Sequence, residues 1–438
     1  MNDAPVASPE DAIAVIDPTS YAEWTTALDL FDRLREATPV VRIQSPGGEF
    51  DPFWLLTRYD DAMRVSKDNA HFLNAPRPTV FTNKQGEEFA RQFTRLQGDE
   101  SPNLVNSLVQ VDAPKHPKLR RLTQEWFMPK NLRNIEAAIR ELAIKTADRL
   151  VAASAGGSEV VDFVPLVAAP YPLHVVMQIL GVPEADEPRM LFLTQQMFGG
   201  QDEDLNKSGL AALTPDQILQ IVTGAVTDFE TYFEGLAADR RANPTDDVAT
   251  ILANATIDGE PISARDRAGY YIIVAAAGHD TTSASTAGAM LALAQDPEQF
   301  ARVKADRSLV PGIVEEAIRW TSPVQHFMRT ATQDAQFGDV TVRAGDWLMI
   351  NYVAANHDPA QFPDPRKFDA TREANRHLAF GAGAHQCLGL HLARLEMRLL
   401  FDALLDRIDT AELAGEPKRA KSTFVGGLKT LPLRIRAA

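Results

Sequence analysis

Most of the chain carries apolar residues at the spacing of a helix that buries one face. One example is the run at Ile135, Ile139, Leu142, Ala143, Ala147 and Leu150. Another follows Cys387, at Leu388, Leu392, Leu395, Leu399, Leu400, Leu404 and Ile408. Because this spacing dominates up to about Arg319, the pattern predicts a mainly α protein.

A different pattern occupies residues 330–352, where the stretch QFGDVTVRAGDWLMINY alternates apolar and polar positions and is punctuated by Gly338 and Gly345. Such alternation indicates short strands joined by turns. Residues 54–68 (WLLTRYDDAMRVSKD) read as a short strand that leads into a helix. There is no internal repeat and no long linker, so we expect a minor β portion within a single domain over residues 1–438.

The composition narrows the class of protein. Lys and Arg number 44 and Asp and Glu 59, a net charge of 44 − 59 = −15, which argues against nucleic acid or an anionic membrane as a partner. One cysteine cannot form an internal disulfide, which suits a reducing compartment. The N-terminal stretch is acidic, and apolar runs stay below 18 residues. We therefore expect a cytoplasmic monomer without a membrane segment.

The single cysteine lies in the stretch AFGAGAHQCLGLHLARLE, residues 379–396. Gly381 and Gly383 permit a tight loop, and Cys387 is expected at the N-terminus of the next helix, where free amides and the helix dipole favour thiolate. Gly389 has no side chain to hold a flat ligand away. A thiolate beside a flat, glycine-lined surface suits axial ligation of haem iron.

Two other interpretations of this cysteine exist. Inert buried cysteines are common in proteins. A zinc site of His385, Cys387 and His391 is the alternative from another class, but residues two and four apart around a helix start do not all converge on one ion.

The pattern Phe-x-x-Gly-x-x-x-Cys-x-Gly, formed here by Phe380, Gly383, Cys387 and Gly389, resembles the signature of the cytochromes P450, the haem-thiolate monooxygenases. The resemblance implies the cytochrome P450 fold, with a long central helix over the haem and the cysteine loop beneath it. It also implies haem b as cofactor, Cys387 as the iron ligand, and Gly381 among the haem-binding residues.

A second motif is AAAGHDTTSAS, residues 275–285. Ser263 and Asp266 predict the start of its helix, which should run to about Ala294. An acid and an alcohol, Asp280 and Thr281, are unusual in an apolar helix centre. One explanation is a local kink with the threonine bonded back to the helix.

The resemblance implies a catalytic explanation for the same motif. Ala277 and Gly278 border the haem, and Gly278 lets the helix widen. Thr281 then holds bound dioxygen, and Asp280 takes part in proton delivery. His279, between Gly278 and Asp280, is assigned no catalytic role.

Two further groups match the family in chain order. Glu316 and Arg319 in EEAIRW can pair at i, i+3, and the resemblance adds Arg372 as structural support for the haem loop. Four cations are expected to meet the haem propionates, because buried carboxylates need charged donors. They are His116 and Arg120 in DAPKHPKLRR, Arg329 in FMRTA and His385 in AHQC.

The implied reaction is insertion of one atom of dioxygen into a C–H bond. The chain carries no flavin or dinucleotide fingerprint, so a ferredoxin with its reductase is the expected electron donor. A basic island of Lys115, Lys118, Arg121 and Arg394 is the predicted docking patch. The alternatives are a peroxide-using peroxygenase and a non-catalytic haem sensor or binding protein; neither requires the acid–alcohol pair.

Several segments, among them YPLHVVM and TFVGG, resemble terpineol-hydroxylating members of the family. This implies a compact apolar substrate, a monoterpenoid or an alkyl-aromatic hydrocarbon. The predicted pocket walls are residues 96–109, Met197, Phe198, residues 274–278, residues 324–327, Phe424 and Val425.

Overall fold

The computed structural model describes residues 5–79, 83–96, 98, 101–198, 201–202, 204 and 215–438. The helices of these ranges are α1 Pro9–Ile16, α2 Trp24–Ala37, α3 Tyr59–Lys67, α4 Lys84–Arg95, α5 Lys115–Gln124, α6 Pro129–Leu132, α7 Glu136–Ala153, α8 Pro170–Leu180, α9 Glu187–Phe198, α10 Pro215–Ala242, α11 Val248–Ala253, α12 Ala264–Ala277, α13 Asp280–Gln295, α14 Pro297–Ala305, α15 Val310–Thr321, α16 Tyr352–Asn356 and α17 Leu390–Arg407.

The strands are β1 Val40–Ile43, β2 Phe53–Leu56, β3 Phe72–Leu73, β4 Val160–Asp162, β5 Thr256–Ile257, β6 Glu260–Pro261, β7 His326–Ala331, β8 Ala335–Phe337, β9 Val340–Val342, β10 Trp347–Asn351, β11 Ile408–Leu413, β12 Lys418–Arg419, β13 Leu428–Thr430 and β14 Pro432–Ala437. The largest sheet has the order β1-β2-β10-β7-β3, and β2 and β10 are its parallel pair. Helices thus dominate and the sheet portion is minor, as the sequence pattern predicted.

The central helix is broken, which corrects the prediction of one continuous helix. Ser263 caps α12 as predicted, its Oγ accepting from the amide of Asp266 at 3.0 Å. The helix ends at Ala277 and α13 begins at Asp280. Gly278 lies at the break because α8 packs directly against it: a Cβ there would lie 2.5 Å from Cγ2 of Val176.

Helix α13 runs through the protein core, with the whole of residues 282–294 buried. It packs against α8, α15 and α17. Its sequence is rich in Ala, Ser and Gly, and Gly288 has only 2.1 Å between an added Cβ and Cγ2 of Thr321. Small side chains therefore let neighbouring helices approach the central one closely.

Helix α17 starts later than the sequence pattern suggested. Gly389 is its N-cap and Leu390 its first residue, so Cys387 lies in the loop before the helix. At the other end, Ile408 begins β11 and pairs with Ala437, although it continues the helical spacing of leucines. A buried apolar residue at a helix end fits either element, and the pairing with β14 decides which one forms.

None of the helices within the described ranges has the length and apolarity needed to cross a membrane. The single domain over residues 1–438 stays a prediction.

Candidate active site

A cavity of about 1,070 Å³ separates α13 from the cysteine loop. Ala277, Asp280 and Thr281 line it on the helix side, and Phe380 and Cys387 line it on the loop side. Pockets for drug-sized ligands measure roughly 300–1,000 Å³. This one therefore has room for a large cofactor together with a small substrate.

Glycines shape the loop under the cavity. Gly381 and Gly383 have φ of +66° and +77°, the left-handed region that the sequence predicted for them. At Gly383 a Cβ would also lie 2.5 Å from the backbone oxygen of Ser66, so α3 packs tightly beneath the loop. Gly389 differs: its φ is −87°, and an added Cβ would meet nothing within 4 Å. The missing side chain at Gly389 keeps the cavity floor flat.

The backbone amide of Cys387 donates to the carbonyl of Phe380 at 2.8 Å, which closes the loop. Burial raises the pKa of the Cys387 thiol, and this outweighs the amide of Gly389 and the charges of Arg120 and Arg394, which lower it. The expectation that the helix end alone would favour thiolate is therefore wrong for the free side chain. A metal ion bound to the sulfur would remove the proton outright.

The support network under the loop has the composition that the family resemblance implied. Arg319 donates to Glu316 through Nε and Nη2 at 2.8 and 2.7 Å, and both side chains are fully buried. Nε of Arg372 reaches the same carboxylate at 3.0 Å. Nη1 of Arg319 donates to the carbonyls of Asn356 and Pro365. The trio thus ties α15 to the segment that precedes the cysteine loop.

The four predicted cations line one side of the cavity together. The rings of His116 and His385 lie 4.0 Å apart, and Nε2 of His385 is 3.4 Å from Oδ1 of Asp112. Burial and the positive charges of His385 and Arg120 lower the pKa of His116 to about 4. Burial also lowers the pKa of Arg120. Burial and mutual repulsion disfavour the positively charged forms of these side chains, so an anionic ligand would stabilise those forms.

The surroundings of Arg329 indicate an anionic ligand most clearly. Arg329 is 1% exposed, its Nη1 donates to the carbonyl of Met328 at 2.8 Å, and its Nε has no hydrogen-bond partner among the described residues. Burial lowers the pKa of its guanidinium, although the Tyr352 hydroxyl and Asp112 work against that shift. An orphaned buried donor of this kind fits a carboxylate supplied by a ligand. The residues present therefore fit a flat group with two carboxylates, as haem has.

The acid–alcohol pair sits at the helix break. Oγ1 of Thr281 donates to the carbonyl of Ala277 at 3.0 Å, so the kink with a back-bonded threonine is present. Asp280 is 40% exposed toward the cavity, and its Oδ1 lies 3.0 Å from Nε2 of His279. Both catalytic candidates thus border the same space as Cys387.

The sequence did not suggest two acidic residues near the site. Glu396 lines the cavity, and Asp112 lies beside the cations at its wall. Asp112 accepts from the amides of Asn74 and Ala75 and faces His385. Glu396 is 1% exposed, accepts from Thr282 at 3.2 Å, and has its pKa raised well above the usual range by burial. Only Asp112 had a signal in the sequence, because it opens the Asp-x-Pro-x-His stretch that contains His116.

The predicted pocket walls mostly line the cavity. They include Val105, Leu108, Met197, Val274, Val324, Phe327, Phe424 and Val425. Leu96 was wrongly included, since it is 88% exposed at the end of α4. The side chain of Phe198 and residues 97, 99 and 100 lie outside the described residues. Gln196 and Gln201 are polar wall residues that the sequence did not suggest.

The basic island is largely neutralised within the chain. Lys115 pairs with Asp266 at 2.6 Å and Lys118 pairs with Asp258. Arg394 makes two contacts with Glu315, one of them at 2.8 Å. Arg121 is exposed. A local cluster of basic letters in the sequence therefore overstates the free positive charge of this face.

Comparisons with known proteins agree with this fold and site. The cytochrome P450 family model matches residues 63–435. The chain is 40% identical to cytochrome P450-terp of a Pseudomonas species over 437 residues, covering 100% of each. A methyl-branched lipid omega-hydroxylase of Mycobacterium tuberculosis is 35% identical over 435 residues, covering 97% of this chain and 96% of the relative.

The crystal structure of CYP108D1 from Novosphingobium aromaticivorans is 64% identical with a TM-score of 0.89, covering 99% of this chain and 100% of that chain. Fold and site together define a haem-thiolate oxygenase. The chain belongs to the cytochrome P450 family. It is a cytochrome P450 monooxygenase, and members of this family bind haem b through a cysteine thiolate.

Proposed function

We propose that the cavity holds haem with Cys387 as the iron ligand and with Arg329, Arg120, His116 and His385 around its carboxylates. The observation that carries this proposal is the pairing of an open, glycine-floored space above Cys387 with the buried Arg329, whose Nε has no hydrogen-bond partner among the described residues. Haem bound through a thiolate supplies the chemistry that cleaves the O–O bond.

On the other side of the cavity, Asp280 and Thr281 deliver protons. Thr281 presents a hydroxyl whose hydrogen goes to the carbonyl of Ala277 at 3.0 Å, so a rotation about one side-chain bond turns its donor toward the cavity. Asp280 is partly exposed and neighbours Thr281, and it can carry protons from solvent to that hydroxyl. The hydrogen bond from Thr281 to Ala277 and the proposed catalytic role thus correspond to two orientations of one hydroxyl.

The substrate that fits this cavity best is a compact apolar molecule, a monoterpenoid or an alkyl-aromatic hydrocarbon. The apolar walls of the cavity include Leu108, Val274, Phe327, Phe424 and Val425, with Phe327 and Phe424 in an edge-to-face pair at 5.5 Å. Such walls rank substrates by size and shape, at roughly 1–3 kcal/mol per methylene. The similarity to P450-terp supports the same class.

Electrons must reach the haem from a separate protein, for which we propose a ferredoxin with its reductase. The proposed docking face is the one bearing Arg121 and the paired cations Lys115, Lys118 and Arg394. Because three of these already have acidic partners, docking would exchange those partners for acidic groups of the ferredoxin. Salt should therefore weaken this docking only modestly.

We also propose that the enzyme is a monomer and that it acts in the cytoplasm.

A spectroscopic screen tests the substrate class. Purified holoenzyme is titrated with α-terpineol, linalool, p-cymene, a methyl-branched long-chain fatty acid and testosterone, and the shift of the haem spectrum on displacement of bound water is recorded. We expect the three compact ligands to bind at least about tenfold more tightly than the two large ones. Tighter binding of the fatty acid would instead assign the chain to lipid ω-hydroxylation.

Turnover of a compact ligand that binds separates the monooxygenase from the two alternatives. We expect product from NADH, ferredoxin reductase and ferredoxin under air. In Thr281→Ala, NADH consumption should continue while product falls and hydrogen peroxide rises. Product that forms only from added peroxide would indicate a peroxygenase, and binding without any product would indicate a sensor.

A further inference from the structure

His279 is fully buried at the break between α12 and α13, between two residues that line the cavity. Burying an ionisable ring is unfavourable unless its polar atoms are bonded. Both ring nitrogens of His279 have partners: Nδ1 lies 3.1 Å from the carbonyl oxygen of Ala275, and Nε2 lies 3.0 Å from Oδ1 of Asp280. The ring therefore connects the end of α12 to the catalytic candidate that starts α13.

The chemistry of these partners fixes the protons. A carbonyl only accepts, so Nδ1 must carry a hydrogen. Nε2 also lies 3.5 Å from Oγ1 of Thr194 in α9, and that hydroxyl already donates to the carbonyl of Leu191 at 2.9 Å. A contact of 3.0 Å between Nε2 and a carboxylate oxygen needs one proton between the two atoms. Either His279 is an imidazolium beside a carboxylate, or a neutral ring accepts from a protonated Asp280.

The electrostatics favour retention of this proton. Burial alone would lower the pKa of His279, but the charge and hydrogen bond of Asp280 and the carbonyl of Ala275 outweigh it, and the pKa is raised. In α17, which packs against α13, Glu396 accepts from Thr282 at 3.2 Å, and burial raises its pKa well above the usual range. Among the described residues, the other elements around the ring also carry charged or titratable groups. In α9 they are Glu187 and Arg189, in the first turn of the helix; in α8 there is His174, which pairs with Glu187. In α12 they are at its first turns, residues 265–267.

We propose that His279 and Asp280 share one proton. His279 is then a positioning residue, which holds that proton on the pair so that Asp280 can transfer it beside Thr281. This rests on the proposed role of Asp280 and Thr281. When the carboxyl of Asp280 releases its proton toward the cavity, the pair becomes a neutral ring and a carboxylate. Nε2 and Oδ1 then face each other with lone pairs at 3.0 Å, which favours uptake of a new proton by the pair.

Nitrogen NMR tests the protonation without turnover. The sample is histidine-labelled holoenzyme, reduced and bound to carbon monoxide, and His279→Gln identifies the signal. We expect Nδ1 to carry hydrogen at every pH and the pair to keep its proton to a higher pH than free histidine does. In Asp280→Asn the midpoint should fall below that of the wild type, because burial is then opposed only by the carbonyl of Ala275. An unprotonated Nδ1, or a midpoint unchanged in Asp280→Asn, would overturn the proposal.

Kinetics test the function of the pair. In His279→Gln the amide can still donate to Asp280 but holds no ionisable proton. We expect the share of electrons that ends in product to drop by about tenfold and the solvent isotope effect to rise. The ligand-induced spectral shift and the spectrum of the carbon monoxide complex should not change. The matched control is His174→Gln. His174 also pairs with a carboxylate, with its Nδ1 2.8 Å from Oε1 of Glu187, but it does not line the cavity, so coupling should be unaffected.

Different results would overturn the shared-proton proposal and the proposed function. Wild-type coupling in His279→Gln would overturn the shared-proton proposal and leave the monooxygenase assignment intact. A wild-type protein that gives no product with any compact ligand would overturn the proposed function, and the NMR experiment would still decide the protonation of the pair.

Discussion

Two buried arginines, Arg319 in α15 and Arg329 in β7, have opposite surroundings. Arg319 is fully buried and pairs within the chain with Glu316, and three backbone carbonyls accept its other hydrogens. Arg329 is just as buried, but the described residues offer it a carbonyl, a tyrosine hydroxyl and a more distant Asp112. Removing one partner of a buried ion pair is strongly destabilising, whereas a buried charge without an ion-pair partner within the chain is suited to a charged ligand.

The same contrast separates two glycines of the loop. Gly383 is packed so closely that a methyl group would collide with Ser66, and its positive φ excludes other residues as well. Gly389 has open space where its side chain would be. Packing explains the first glycine, and for the second we propose that it leaves room for a ligand above the loop. Residues that serve the fold and residues that serve the haem should therefore respond differently to substitution.

The largest effect is expected in Arg319→Leu. Removing the guanidinium leaves Glu316 buried with Arg372 as its remaining arginine partner, and breaking a buried pair costs about 3–5 kcal/mol. We expect this loss of unfolding free energy in both the haem-free and the haem-bound protein, measured by urea denaturation. An equal loss in haem-free Arg329→Leu would contradict the contrast between the two residues.

Arg329→Leu should weaken haem binding and leave the haem-free fold as stable as the wild type, because it removes an unbalanced buried charge. A hydrogen bond to a charged group contributes about 1.5–3 kcal/mol, which corresponds to roughly 10–100-fold in affinity. The rate of haem transfer to excess apomyoglobin measures this loss. An unchanged transfer rate would mean that the propionates lie elsewhere.

Acid should destabilise the haem-free protein through His116. Its pKa is about 4 when folded and near 6.5 when unfolded, so the unfolded chain binds more protons in this window and stability falls as pH decreases from 6.5 to 4. His326 has a pKa of about 4 for reasons of burial and adds to the same trend. His116→Phe should remove up to one proton from the measured dependence, and bound haem should reduce the contribution of His116 but not that of His326. A dependence that His116→Phe leaves unchanged would exclude the residue.

The smallest effect is expected in Gly389→Ala. The φ of −87° and the open space around the Cβ position predict an unchanged haem-free stability, with haem affinity reduced a few-fold. Gly383→Ala, by contrast, should destabilise the fold itself. Equal haem affinity of Gly389→Ala and wild type would show that the cofactor does not lie against this position.

The sequence predicted those features that depend on nearby residues. The cap at Ser263, the loop glycines Gly381 and Gly383 and the strand-rich segment that ends near Tyr352 all follow from local patterns, and the structure agrees with them. The order of motifs along the chain also predicted that Arg329 and His116 belong to one site, and both line the same cavity.

Features that depend on distant residues were missed. The sequence allowed for a kink near Thr281, but the end of α12 at Ala277 involves contacts with Val176 in α8 and Thr194 in α9, which no spacing within one helix shows. Glu396 meets Thr282 across 114 residues, and Lys118 finds Asp258 across 140 residues. For the same reason the thiol of Cys387 was expected to have a low pKa: the helix end is visible in the sequence, but burial is not.

The central claim is that Cys387 is the iron ligand in a cavity whose unbalanced cations hold the haem carboxylates. The most direct measurement is the spectrum of the reduced, undenatured holoenzyme with carbon monoxide, recorded for wild type and for Cys387→His. We predict a Soret band strongly shifted to the red in the wild type, and an ordinary histidine-type band, if haem is retained, in the variant. A histidine-type spectrum from the native wild-type protein would contradict the account.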